Sequence, residues 1–333
     1  MDEMKTARVL GNSGIEVSAL GMGCMGLTHA SGDPLPREQA ARVVREAHEM
    51  GYTFFDTAEC YVGVNPDGST AYNEEAVGDA LRPVRDEVVI ATKFGVQHNP
   101  DLTLSLDSRP ETIRASVDGS LKRLGVDCID LYYQHRIDPK VAPEEVAGVM
   151  AELIEAGKIR AWGISETTED YLRRAQAVCP VAAVQMRYSM LARWNESLLP
   201  VLDELDVAFV AFSPMANGFL TGAYSPATSF EGSQDYRAGM PQYTEEGYEK
   251  NRAVLGVLGD IAREHDATMA QVSLAWMLCR NPRIVPIPGS RKPERLRENL
   301  ASCDVVLSPE EVARIDTALD GMDLAVFGGH RVE

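Results

Sequence analysis

Short, uniformly apolar runs alternate with helix-patterned stretches along nearly the whole chain, and few folds are compatible with that alternation. The apolar runs are 17–20, 53–56, 88–93, 129–134, 159–164, 181–185, 207–212 and 284–287. Helical patterns fall between them at 37–50, 73–81, 110–124, 143–156, 168–178 and 196–205, then at 248–264, 269–280 and 293–301. Strands without an in–out alternation are those covered on both faces, as in a parallel sheet. The helix ends are punctuated. Pro110 opens one helix and Gly125 closes it, Gly51 and Gly157 stop two others, and Ser308-Pro309-Glu310-Glu311 is a capping box opening a last one. Eight strand–helix units without a linker predict an α/β protein, a (β/α)8 TIM barrel. Residues 1–333 then form a single domain, with a long loop after strand 7 (214–247) and an extra C-terminal helix.

An open doubly wound sheet is the rival. Gly21-Met22-Gly23-Cys24-Met25-Gly26 fits the G-x-G-x-x-G spacing of a dinucleotide-binding turn. That fingerprint must open a helix, and residues 27–36, with Ser31-Gly32-Asp33-Pro34, do not. The six residues read instead as a tight turn whose glycines let the backbone approach a ligand or a neighbouring strand.

Composition narrows the setting. A net charge of −18 disfavours nucleic acid and anionic membranes as partners. No apolar run reaches the ~18 residues of a membrane span, and the N-terminus lacks the pattern of a signal peptide. Cys24, Cys60, Cys128, Cys179, Cys279 and Cys303 are scattered without a Cys-x-x-Cys pair, which predicts reduced thiols and a cytoplasmic protein. Cys60, beside Tyr61, is the candidate for an oxidisable thiol.

The strand ends carry the chemistry. In order they deliver Asp56, Lys93, His135, Ser165, Gln185, Ser213 after Phe212, and Ser290 with Arg291, while Tyr61 lies five residues beyond Asp56. In a barrel all of these face one rim, where such folds place their active sites. A phenol is a weak acid near neutrality, with a pKa of about 10. A nearby lysine ammonium would favour the phenolate, so Lys93 is expected to lower the Tyr61 pKa, with Asp56 holding the lysine charged. Tyr61 then donates a proton to a carbonyl oriented by His135, and a nicotinamide must supply the hydride, because no side chain can.

Longer stretches carry a family resemblance. They are Phe54-Phe55-Asp56-Thr57-Ala58-Glu59-Cys60-Tyr61, Ala91-Thr92-Lys93-Phe94-Gly95, Leu131-Tyr132-Tyr133-Gln134-His135-Arg136, Gly163-Ile164-Ser165-Glu166, Phe212-Ser213-Pro214-Met215, Gly218-Phe219-Leu220-Thr221-Gly222 and Ile287-Pro288-Gly289-Ser290-Arg291. In order and spacing they resemble the aldo-keto reductases, which are (β/α)8 barrels reducing carbonyls with NADPH. The resemblance implies a catalytic tetrad of Asp56, Tyr61, Lys93 and His135. It implies nicotinamide contacts from Ser165 and Gln185, ring stacking on Phe212 with Ser213 beside it, and an adenosine phosphate site at Ser290, Arg291, Arg295, Glu298 and Asn299. Arg291, Lys292, Arg295 and Arg297 are also the densest basic cluster in this acidic chain. Three departures stand out. Phe212 replaces a frequent tyrosine, Glu166 a frequent asparagine, and residues 62–72 are longer than in compact members and are expected to rim the substrate pocket.

The partner expected is therefore a small carbonyl compound, with no metal; oligomerisation is open. Two other functions remain. A non-catalytic, cofactor-sensing binding subunit on the same barrel would keep Ser165, Gln185 and the arginines. A barrel aldolase or isomerase would use Lys93 as a Schiff-base amine, which pairing with Asp56 opposes.

Overall fold

The computed structural model describes residues 7–99, 103–230 and 235–327. Eight parallel strands form one sheet: β1 (Met22–Gly23), β2 (Phe54–Asp56), β3 (Val89–Phe94), β4 (Ile129–Gln134), β5 (Ile159–Ser165), β6 (Ala183–Arg187), β7 (Ala208–Phe212) and β8 (Ile284–Pro286). Each strand pairs with the next in the chain. The sheet closes on itself where Gly21 N donates to Pro286 O (2.9 Å) and Gly23 N to Pro288 O (3.2 Å). This is the (β/α)8 barrel expected.

Closure explains the glycine run. A Cβ on Gly23 would lie 2.7 Å from Ile287 O, and one on Gly21 would lie 2.6 Å from the Phe54 ring. The glycines let two backbones meet at the seam, and a short 3-10 turn (Met25–Leu27) follows, not a dinucleotide-binding helix. The first barrel strand is thus at 22–23 and not at 17–20. Val17 belongs instead to an N-terminal antiparallel hairpin, Arg8–Val9 with Glu16–Val17. That hairpin plugs the lower mouth, sending Leu10, Ile15 and Val17 into the interior against Phe54, Val89 and Leu131.

Alternate strand residues serve two cores. Val89 and Ala91 face the barrel axis, whereas Ile90 and Phe94 face the helices. The helices are α1 (Arg37–Met50), α2 (Asn73–Leu81), α3 (Pro110–Leu124), α4 (Pro143–Glu155), α5 (Glu169–Gln176), α6 (Leu199–Leu205), α7 (Glu245–Glu264), α8 (Met269–Arg280), α9 (Pro293–Leu300) and α10 (Pro309–Asp320). Each wholly buried Phe, Leu or Val in the layer beneath them contributes roughly 1.5–3 kcal/mol. Capping boxes open α8 at Thr268 and α10 at Ser308.

The loops hold more order than their composition suggests. Residues 62–72 form a hairpin, Val62–Val64 with Thr70–Tyr72. A second one pairs Val96–His98 with Leu104–Leu106. Of the stretch after β7, 216–221, 236–239 and 241–243 are short helical turns, and α7 begins at Glu245 rather than at 248. After α10, Asn251 takes two hydrogen bonds with the backbone of Ala325, which fastens the chain's tail to α7.

Candidate active site

Strand polarity puts the C-terminal ends of all eight strands at one mouth, and there the sequence-predicted residues meet. Lys93 is fully buried near the end of β3. Its Nζ donates to Asp56 Oδ1 (2.5 Å), to Thr57 O (2.7 Å) and to Tyr61 Oη (3.3 Å). Asp56 also accepts from Gln185 Nε2 at 2.7 Å, so strands β2, β3 and β6 are linked across the barrel axis. Burial alone would lower the Lys93 pKa, but Asp56 and Tyr61 outweigh it and hold the ammonium above its usual value. Burial raises the Asp56 carboxyl, and Lys93 and Gln185 oppose that rise.

Tyr61 departs from expectation. Burial pushes its phenol up to about 12; Lys93 draws it down, but Asp56 pushes it back. The Lys93 charge lies closer to Asp56 than to the phenol, so much of its field is spent on the carboxylate. In the free protein Tyr61 is a protonated phenol.

The backbone around Tyr61 is held by a network that sequence reading missed. Thr57 Oγ1 donates to Asn73 Oδ1 (2.7 Å), and Asn73 Nδ2 donates to Cys24 O (2.9 Å) and Thr28 Oγ1 (2.8 Å). Thr28 Oγ1 donates to Tyr61 O at 3.1 Å. Asn73, the first residue of α2, carries no motif that would single it out.

His135 follows β4, with its ring edge-on to Tyr61 at 5.7 Å. Burial, then the positive charges of Arg136 and Lys93, keep its pKa well below the usual value, so the imidazole is neutral. Cys60 Sγ contacts its Nδ1 at 3.4 Å. The thiol of Cys60 is pushed up to about 12 by burial, which opposes its reading as a reactive thiolate. His29 and His98 also converge on this mouth, their rings 4.7 Å apart.

The expected nicotinamide positions lie beside these groups. Ser165 Oγ accepts from Arg136 Nη1 at 3.0 Å. Gln185 has its amide nitrogen committed to Asp56, which leaves the amide oxygen. The Phe212 ring lies under Arg187, whose guanidinium is 4.9 Å from its centroid, and Ser213 follows in a left-handed conformation with φ of 52°. Glu166, also left-handed, accepts from Arg187 N at 3.0 Å.

The basic cluster is less free than its sequence suggests. Arg291 Nε donates to Gly26 O and Nη1 to Asp33 O (2.8 Å), while Arg295 Nη1 pairs with Glu298 (2.6 Å). Ser290 Oγ accepts from Lys292 N at 3.1 Å. Arg187 Nη1, at the end of β6, and Arg291 Nη2, after β8, are nonetheless buried without a partner, as is Asn299 Nδ2 on α9. A buried donor left unpaired costs ~1–3 kcal/mol, so an acceptor-rich, anionic ligand fits this end of the barrel.

Comparison with known proteins agrees with this geometry. The Aldo/keto reductase family model matches residues 19–320. The chain is 38% identical over 318 residues to a probable aldo-keto reductase 1 of Glycine max, covering 95% of this chain and 89% of that one. It is 38% identical over 325 residues to the aldo-keto reductase yakc [NADP(+)] of Schizosaccharomyces pombe, covering 95% and 92%. The structure of a glycerol dehydrogenase from Gluconobacter oxydans superposes with a TM-score of 0.84 at 26% identity, over 95% of each chain. The chain belongs to the aldo/keto reductase family, whose members are oxidoreductases.

Proposed function

We propose that this protein is an NADPH-dependent reductase that converts aldehydes and ketones to alcohols. The observation that carries the reading is Lys93 Nζ lying between Asp56 Oδ1 and Tyr61 Oη at 2.5 and 3.3 Å. Bound NADPH supplies the hydride to the carbonyl carbon. Tyr61, protonated at rest, donates its proton to the carbonyl oxygen, and the Lys93 ammonium stabilises the phenolate left behind. Asp56 keeps Lys93 charged and in place. Because Cys60 engages Nδ1 of His135, Nε2 is the nitrogen left to hold the carbonyl oxygen and orient it. Ser165, the oxygen of Gln185 and the Phe212 ring would receive the nicotinamide, and Ser213 would lie beside it. Ser290, Arg291, Arg295, Glu298 and Asn299 would receive the adenosine end; the unpaired donors of Arg291 and Asn299 support this placement.

The complete Asp56–Lys93–Tyr61 arrangement favours turnover over a purely cofactor-sensing role. A Schiff-base role is disfavoured, because Lys93 stays protonated. Cys24, Cys60, Cys128 and Cys179 are free thiols, which suits a reducing, cytoplasmic setting. Among the described residues no helix is long and apolar enough to cross a membrane.

The test is the loss of NADPH absorbance with a panel of aldehydes and ketones, for the native chain and for Tyr61→Phe. Removing a general acid typically lowers the rate ~10²–10⁴-fold. Tyr61→Phe should lose that much kcat and keep its NADPH affinity. Near-native turnover in the variant would refute the assignment.

A further inference from the structure

The segment between β1 and α1 brings His29 over Tyr61. The two rings are nearly parallel, at 13°, with centroids 6.2 Å apart. The position of His29 is fixed from several sides. Its Nδ1 donates to Val62 O at 2.9 Å, which leaves Nε2 to accept from Tyr236 Oη at 3.3 Å. Tyr236 comes from the loop after β7, and it meets the His29 ring edge-on at 5.5 Å. The two loops also join through their backbones. Ser31 and Asp235 form an antiparallel bridge, and Tyr236 N donates to Ala30 O at 3.3 Å. Ala30 sits at φ 62°, a conformation that costs a non-glycine residue ~1–3 kcal/mol and persists only when its surroundings impose it.

What imposes it includes Arg291. Its two backbone acceptors, Gly26 O and Asp33 O, bracket His29 in sequence. The planar guanidinium therefore closes the loop as a clasp, and a third nitrogen, Nη2, is left buried without a partner. Arg291 is thus tied to the loop that covers Tyr61 before any cofactor phosphate engages it.

We propose that His29 and Tyr236 form the roof of the substrate pocket and select aryl aldehydes over alkyl ones, and that Arg291 is a positioning residue for this roof as well as a phosphate contact. The proposal rests on the reductase reading above. The face of the His29 ring, with Tyr236 edge-on against it, gives a planar aromatic substrate a surface to stack on, and a short alkyl chain gains little from it.

The test separates the two roles of Arg291 by using NADH, which has no phosphate on the adenosine ribose. The substrates are 4-nitrobenzaldehyde and propanal, each with NADPH and with NADH. The native chain comes first: no turnover with either aldehyde would sink the reductase reading itself. In His29→Ala the KM for 4-nitrobenzaldehyde should rise about tenfold, one lost ring contact, while that for propanal and the NADPH Kd stay put. Arg291→Ala should raise the aryl KM by about the same factor with NADH as cofactor, and the His29→Ala/Arg291→Ala double variant should be no worse than either alone. Arg291→Lys keeps the charge but loses the fork that spans two carbonyls, so it should keep much of the NADPH affinity and still raise the aryl KM. Unchanged NADH kinetics in both Arg291 variants would overturn the clasp, and His29→Ala affecting both aldehydes alike, or neither, would overturn the roof.

Discussion

Replacing Lys93 by methionine removes one buried charge and leaves its partner. In the native structure Nζ serves Asp56, Thr57 O and Tyr61 Oη from a position without solvent access. Two consequences can be separated. For catalysis, an ammonium 3.3 Å from the phenol oxygen favours the phenolate by about 5 kcal/mol at an effective dielectric of ~20. Asp56 offsets part of that field, so a loss of ~10²–10⁴-fold in kcat is the expected outcome. For stability, Asp56 keeps only the Gln185 amide as partner. Stranding one member of a buried pair typically costs ~3–5 kcal/mol. Urea unfolding at neutral pH should show that loss in Lys93→Met, and Asp56→Asn/Lys93→Met should regain most of it, because no unpaired charge remains. The double variant should stay as inactive as the single one. If Lys93→Met were as stable as the native chain, the pair would not be the buried, mutually dependent unit described here. If the double variant regained turnover, Lys93 would matter only as a counter-charge to Asp56, and its support of the Tyr61 phenolate would be wrong.

Arg295, which has no hydrogen bond to the roof loop, should report the cofactor phosphate alone: Arg295→Ala should weaken NADPH binding about tenfold and leave NADH unchanged. Fluorescence titration measures both constants, and the native preference for NADPH should shrink as salt rises. The imidazoles give a pH signature. His135, His29 and His98 all have pKa values lowered first by burial, so the unfolded chain binds protons that the folded chain refuses. Stability is therefore complete above the unfolded histidine pKa of about 6.5 and falls as pH drops below it, by ~1.4 kcal/mol per pH unit for each histidine that stays neutral. Raised carboxyls at Asp56 and Glu59 act in the opposite sense at lower pH. Urea midpoints between pH 7 and 5 should fall more gently in His135→Gln than in the native chain; equal slopes would mean that His135 titrates normally in the folded protein.

The barrel was legible because its signals are local. Uniformly apolar strands, Pro and Gly at helix ends and one polar residue per strand end each follow from a few neighbouring residues, and together they admit one architecture. The meeting of Asp56, Lys93, Tyr61 and His135 was legible for the same reason, since strand polarity alone brings strand ends to one mouth. The first strand was misplaced because residues 17–20 look more strand-like than Met22–Gly23. What makes 22–23 the strand is the seam with β8, across some 260 residues, and a Cβ-free backbone there has no apolar signature.

Balances among several groups were not legible. A lysine near a phenol predicts a lowered pKa if only the pair is considered. The folded site adds burial and a carboxylate closer to the lysine than the phenol is, and the sum goes the other way. The basic cluster behaves alike. Arg291 and Arg295 read as free positive charge, yet in the fold one clasps two backbone carbonyls and the other pairs with Glu298. The partners of Arg291 are set by tertiary contacts 258 and 265 residues away in sequence, so the residue type foretells that it will bind an acceptor but not which one. That is why Arg291→Ala should disturb substrate selection as well as phosphate binding, whereas Arg295→Ala, paired only along its own helix, should disturb phosphate binding alone.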